Sequence, residues 1–341
     1  YENGEVVPYS GEGSLLLEPQ RTNLIVNSED FDVWTGYTNG NGSTPTITTN
    51  YTESPEGIVN ATRLQLETNG TASADASGIL ESIALDGSST YIFSFWIKSN
   101  SGSNAELSTF VNSSFGVQFT ATTEWQRLYF EVISNSTNPR NFGVIARGNY
   151  QQSVDVSFWG AQLELGSYPT SYIPTNGEVN GVTRLADVCN NAGSSDLINS
   201  TEGVLYAEIA ALADDQTNRA ITLSDGTNNN VVQIFYATGS SNKIRFQIRV
   251  NGVGGDNLDF TTTNYTIKNY NKIAIKYKLN DAQVWINGTK IHTDLNSGVP
   301  NLLSQIDFNY ANTGLDFYGN VKCVAVFKEA LDNDQLERLT G

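Results

Sequence analysis

Along most of the chain, apolar and polar residues alternate in short runs separated by Gly, Asn, Asp and Ser. That period of two belongs to half-buried β-strands rather than helices. In Tyr91-Ile-Phe-Ser-Phe-Trp-Ile-Lys98, one face carries Tyr91, Phe93, Phe95 and Ile97, and the other Ile92, Ser94, Trp96 and Lys98. Gln126, Leu128, Phe130 and Val132 alternate with Trp125, Arg127, Tyr129 and Glu131. Val154, Val156 and Phe158 alternate with Asp155, Ser157 and Trp159 in the same way. Each of these strands therefore has one core face and a second face bearing Trp, Tyr, Arg or polar groups. Further strands are predicted at 204–211, 231–236, 244–250, 273–278, 282–286 and 321–327. Asn251-Gly252 and Asn287-Gly288 read as hairpin turns, because a type I′ turn needs positive φ at both central residues. The one helix signal comes at the end, where Asp332 caps a short segment whose Leu336 and Leu339 face a sheet, with Gly341 after it.

The sequence thus predicts an all-β fold of two tandem antiparallel β-sandwiches, a jelly roll and then a concanavalin A-like sandwich, closed by a short C-terminal helix. The prolines Pro169 and Pro174 interrupt any ladder, and strand patterning resumes only near Val204. The expected boundary falls near 175–185, giving a jelly roll over 15–178 and a second sandwich over 179–341. The weakly patterned stretch 1–14 reads as a connector.

Composition narrows the function classes. With 36 acidic against 19 basic residues and a net charge of -17, the chain repels phosphate backbones and anionic headgroups at long range. Nucleic acid is therefore not an expected partner, nor is membrane insertion, since no apolar run approaches the roughly 20 residues of a spanning helix. The absence of methionine, even at position 1, leads to the expectation of a processed or partial piece of something longer. Cys189 and Cys323 are too few for a disulfide scaffold and are expected as free, buried thiols, the alternative being a bridge between them. Asn-x-Ser/Thr triplets recur, at Asn41, Asn60, Asn69, Asn135 and Asn287 among others, and read as surface composition.

Two phrases carry a resemblance. Leu15-Leu-Leu-Glu-Pro-Gln-Arg-Thr-Asn-Leu-Ile-Val-Asn-Ser-Glu-Asp-Phe31, followed by Trp34, resembles the opening of a module found in phage tail and fibre proteins and in marine bacterial surface proteins. Phe158-Trp-Gly-Ala-Gln-Leu-Glu-Leu-Gly-Ser-Tyr-Pro-Thr-Ser-Tyr-Ile-Pro174, then Thr183-Arg-Leu-Ala-Asp187, resembles its close. That module is similar to carbohydrate-binding jelly rolls of the galactose-binding type, while 188–341 resembles concanavalin A-like or laminin G-like sandwiches through Val284-Trp-Ile-Asn-Gly288 and Val324-Ala-Val-Phe-Lys-Glu-Ala-Leu331. The resemblance implies a lectin-like, non-catalytic carbohydrate- or host-surface-binding part of a phage virion, such as a tail fibre, displayed as a homo-oligomer among other virion subunits. The alternatives are an accessory glycan-binding region of a secreted or cell-surface bacterial enzyme or adhesin, a polysaccharide lyase or hydrolase in the second sandwich, and a structural spacer.

Sugar binding needs flat aromatic faces flanked by hydrogen-bonding side chains. Trp96, Arg127, Tyr129 and Trp159 meet that need if their strands are neighbours; otherwise they pack beneath the N-terminal segment or the second domain. Trp34 and Tyr37 form a second candidate on a loop, with Trp34 alternatively plugging the sandwich. No cofactor is required, but the resemblance implies a structural calcium where the opening and closing segments meet, held by Asn27, Glu29 or Asp30 and by Glu164. A further acidic group, Asp214-Asp215 and Asp225-Gly226, could serve a laminin G-like rim site.

No enzyme activity is expected. His292 is the sole histidine and has no nucleophile elbow beside it. Asp307 and Asp316 are isolated, so no alternating carboxylate run for glycoside hydrolysis exists. Arg245, Gln247, Arg249, Tyr277 and His292 fit a uronate lyase only by force, and read more simply as a solvent-facing sheet.

Overall fold

The computed structural model describes residues 13–111, 113–134, 139–252, 258–311 and 314–341. The chain is almost entirely β and divides into two compact units, Gln20–Leu185 and the remainder, so the first unit is inserted into the second. Residues 13–19 belong to the second unit. Its first described strand, β1 (Leu15–Leu17), pairs with Gly319, Asn320 and Val321 near the other end of the sequence. Ser14 joins this arrangement by donating to Asn320 and accepting from the Tyr270 hydroxyl. The expected domain limits are corrected accordingly: the opening of the module at Leu15–Leu17 is an edge strand of the second sandwich, and the passage between units comes at 185/186. The expected connector, 1–14, lies outside the described residues except for Gly13 and Ser14.

The inserted sandwich contains β2 (Arg21–Asn23), β3 (Thr35–Asn39), β4 (Thr46–Glu53), β5 (Val59–Glu67), β6 (Ala76–Ile83), β7 (Thr90–Ser99), β8 (Ala105–Val111), β9 (Ser114–Ala121), β10 (Gln126–Ile133), β11 (Arg140–Arg147), β12 (Ser153–Leu165) and β13 (Val182–Arg184). One sheet runs β10-β7-β12-β5-β4 and the other β3-β6-β11-β8-β9, all antiparallel. Their inner faces meet in one core containing Phe93, Phe95, Phe142, Phe158, Leu64 and Val144. The ribbon β2–β13 brings the two ends of the insertion together, which is what allows a whole sandwich to interrupt another. On the second unit's side of this neck, Glu18 and Asp187 exchange hydrogen bonds.

The second sandwich is built from β14 (Glu202–Ala211), β15 (Arg219–Ser224), β16 (Val231–Tyr236), β17 (Ile244–Arg249), β18 (Asp259–Thr262), β19 (Asn271–Lys278), β20 (Ala282–Ile286), β21 (Thr289–Asp294), β22 (Gln305–Asp307) and β23 (Gly319–Phe327). A six-stranded sheet β1-β23-β14-β19-β20-β21 faces a five-stranded sheet β18-β17-β16-β15-β22 across a core of Ile, Leu, Val and Phe. Asn287 and Gly288 have φ of 47° and 76° and join β20 to β21, as the hairpin signal predicts. The helix α1 (Asn333–Thr340) carries a capping box between Asp332 and Gln335. Its Leu336 and Leu339 pack on Val204, Tyr206, Ala274 and Trp285, covering the outer face of the six-stranded sheet. Both cysteines are free, and Cys323 is exposed rather than buried as expected.

Candidate functional site

Three outward side chains of the inserted sandwich fall in one row: Arg127 on β10, Trp96 on β7 and Trp159 on β12. Their strands are neighbours in one sheet, which is the condition the sequence reading set for these residues to meet. Beyond Trp159 the ladder slips at a bulge, where Gly160 sits at φ 62° and a Cβ would lie 3.0 Å from the Trp96 ring. Only glycine permits that approach without strain.

The groups freed by the bulge are met from the module's opening and closing segments. Asn23 donates to the carbonyls of Ala161 and Ile173 and accepts from the amides of Leu163 and Ile25. Gln162 accepts from the Ile173 amide at 2.7 Å, and Glu164 accepts from both the amide and the hydroxyl of Thr170. These bonds lay the closing segment across the outer face and bring Tyr172 against Trp159 and Trp96, with ring centroids 4.6 and 5.6 Å apart. Trp159 is 1% exposed as a result. The Tyr172 hydroxyl, its pKa pushed up by burial, bonds Ser28 and donates to Glu29.

Several expected site residues are thereby corrected. Trp159 has no free face, because the module's own closing segment covers it. Trp34 is 5% exposed, packs edge-on against Phe31 and Phe158 and donates to the Asn27 carbonyl. It belongs to the core. Tyr37 lies on β3 rather than on a loop, half-buried against Phe110 and Phe115 of its own sheet, β3-β6-β11-β8-β9. The four residues expected to hold calcium do not come together: Glu164 is wholly buried on Thr170, Asn27 bridges Asn176, and Glu29 and Asp30 line a separate cavity. Among the described residues, no group of three or more His, Cys, Asp or Glu is placed to hold a metal ion.

Elsewhere on the same outer face Ser94 and Ser157 are buried, Trp96, Lys98, Trp125 and Arg63 are half-buried, and Tyr51 and Tyr129 are exposed. Trp96 remains half-buried beneath the Arg127 guanidinium, 4.4 Å above its ring centre, and Arg127 donates to Ser94 at 3.1 Å. Trp125, just before β10, holds the Lys98 ammonium 5.0 Å from its ring and donates to the Glu53 carbonyl. Tyr51 on β4 is 43% exposed and stacks 4.8 Å from the Arg63 guanidinium of β5. Arg63 is fixed in turn by Asp155 of β12, which also accepts from Asn100 at 2.9 Å. That pairing holds the Asp155 carboxyl below the usual carboxylate range. Tyr129, 60% exposed, extends the face along β10. The result is three aromatic rings, each oriented by its own cation, among amide, hydroxyl and carboxylate groups. Trp125 was legible as outward from its alternation, whereas Tyr51 and Arg63 were missed because β4 is rich in Thr and Asn and shows no clean apolar period.

In the second sandwich the candidate chemistry disperses. Tyr277 is in the core, donating to the Asn199 carbonyl, while His292 stacks on Phe260 at 4.4 Å. Arg245 pairs with Asp259, and Asp307 is buried, accepting from the Asn191 amide. Asp214 accepts from the Asn242 amide, Asp215 pairs with Arg219, and Asp225 closes its own turn on Thr227 and Asn230.

No protein-family profile and no curated protein match the chain. Solved structures similar to it include carbohydrate-binding modules. The CBM40 of a Ruminococcus gnavus IT-sialidase matches at 12% identity and TM-score 0.34, covering 46% of this chain and 95% of that one. The CBM22-1–CBM22-2 tandem of Paenibacillus barcinonensis Xyn10C matches at 10% identity and TM-score 0.30, covering 90% and 98%. Domains LG4-5 of the mouse laminin α1 chain match at 8% identity and TM-score 0.29, covering 94% and 95%. At such scores, no residue role passes from these proteins to this chain.

Proposed function

We propose that the inserted sandwich binds carbohydrate through the outer face of its β10-β7-β12-β5-β4 sheet. The observation that carries this reading is the set of three ring–cation pairs, Trp96/Arg127, Trp125/Lys98 and Tyr51/Arg63, on one face that the closing segment leaves open. Aromatic faces stack on the apolar side of a pyranose, while the paired cations and neighbouring amides supply donors to its hydroxyls. The pairs draw on β10, β7, β5 and β4, and the Trp125 indole reaches the Glu53 carbonyl of β4, so one ligand can meet more than one ring. The role proposed is binding, carried by aromatic rings, cations and amides on this face.

Binding of the full chain to a panel of neutral and acidic glycans tests this, alongside a Trp125→Ala/Tyr51→Ala variant whose fold is checked by circular dichroism. Selective binding that the folded variant loses at least tenfold is expected. Absence of binding to the whole panel, or binding indifferent to the variant, would overturn it.

Display on a virion, in repeated copies, is proposed on the resemblance of the opening and closing phrases alone. Its alternative is an accessory region of a secreted enzyme or adhesin. Antibodies against the chain decide between them by decorating phage particles or a secreted bacterial polypeptide.

A further inference from the structure

At one end of the inserted sandwich, a cavity of about 620 Å³ opens between the segment Glu29–Asp32, strands β4 and β5, and the segment Pro174–Glu178. Glu29, Asp30, Asp32 and Glu178 line it, and no basic residue does. Carboxylates alone would be an ordinary solvated rim. The floor is different. Thr62, with no exposed surface, lines the same cavity, and its hydroxyl is buried without a hydrogen-bond partner. Asn60 beside it donates its amide to Glu29 at 3.0 Å, which leaves Oδ1 as an acceptor, also buried and unmet. Buried polar atoms are nearly always satisfied in folded proteins. Two orphans in one acidic cavity point to a partner that comes from outside.

The chemistry of that partner follows from what surrounds it. Glu29 is held in place by Asn60 and by the Tyr172 hydroxyl, 3.0 Å away. Asp32 lies close enough to Asp30 to push its carboxyl above the usual range, through a hydrogen bond between the two side chains. A cation would relieve this crowding. A bare metal ion fits poorly, because no three carboxylates converge among the described residues. The volume instead falls within the range of about 300 to 1,000 Å³ typical of small-molecule sites. Anionic walls, neutral acceptors at the floor and room for a ring together select a positively charged ligand that also carries hydroxyls.

We propose that this cavity is a second binding site, for a sugar unit bearing a free ammonium group. It does not depend on the sheet face described above. Titration calorimetry of the full chain tests it with three probes: a glucosamine oligosaccharide, its fully N-acetylated counterpart, and calcium chloride alone. The amine form is expected to bind, and the acetylated form to bind at least tenfold more weakly. Asp32→Asn with Glu178→Gln, both at exposed positions, should weaken the amine form at least tenfold. Thr62→Val, which keeps the shape and removes the hydroxyl, should weaken it severalfold without loss of folding. No binding of the amine form, equal binding of both sugars, or indifference to the carboxylate variants would overturn the proposal. So would calcium that binds alone and blocks the sugar, since the cavity would then be a metal site.

Discussion

Two outer sheet faces in this molecule begin alike and end differently. The six-stranded sheet of the second sandwich turns Tyr206 and Trp285 outward, and α1 covers them, leaving Trp285 5% exposed. In the inserted sandwich, the closing segment covers Trp159 through Tyr172 but stops short of Trp125, Tyr51 and part of Trp96. Alternation along a strand shows which face a ring is on. Whether the ring is packing or a platform depends on cover supplied by residues far away in sequence.

The comparison breaks most readily on stability. Trp159→Ala and Trp285→Ala should each cost about 3–5 kcal/mol, as buried aromatics do, while Trp125→Ala should stay within about 1 kcal/mol. Urea denaturation of the three variants measures this, and a Trp125→Ala loss as large as the others would mean that Trp125 is packing too. Removing part of the cover instead of the covered ring, Leu336→Ala should cost about 2–5 kcal/mol, read in the same way.

A pH series sharpens the contrast within the inserted sandwich. Burial raises the Glu81 carboxyl from 4.5 to about 7, and one of its oxygens accepts from the Val26 amide in the opening segment. The folded state thus holds the proton more tightly than the unfolded one. Its stabilising effect is complete below about pH 4.5 and is lost as pH rises through about 7. Thermal midpoints should fall over that window, and Glu81→Gln should flatten the decline. The smallest effect is expected at Asp332→Ala, which removes the helix cap for about 1 kcal/mol and should lower the midpoint slightly without exposing Trp285 to quenchers.

Much of the fold was legible because strands β7, β10, β19 and β20 alternate cleanly and the turn from β20 to β21 carries Asn287-Gly288. The return of β1 to β23 was not, since three leucines have no period and their partners lie some three hundred residues away. The most recognisable phrases proved to be structural. Asn23, Gly160, Gln162 and Glu164 build the bulge and fasten the closing segment, which is why Glu164 is unavailable to a metal. Conversely, Tyr51 and Arg63 meet only because β4 pairs with β5, and their sequence neighbourhood gives no hint of it.

The chain has five tryptophans, so its indole N–H signals in a nitrogen-resolved NMR spectrum report on covered and uncovered rings together. Titration with a glycan that the chain binds should shift the Trp125 and Trp96 signals and leave those of Trp34, Trp159 and Trp285 in place. Binding that leaves Trp125 unmoved, or that moves Trp285 instead, would contradict the assignment of the open sheet face as the carbohydrate site.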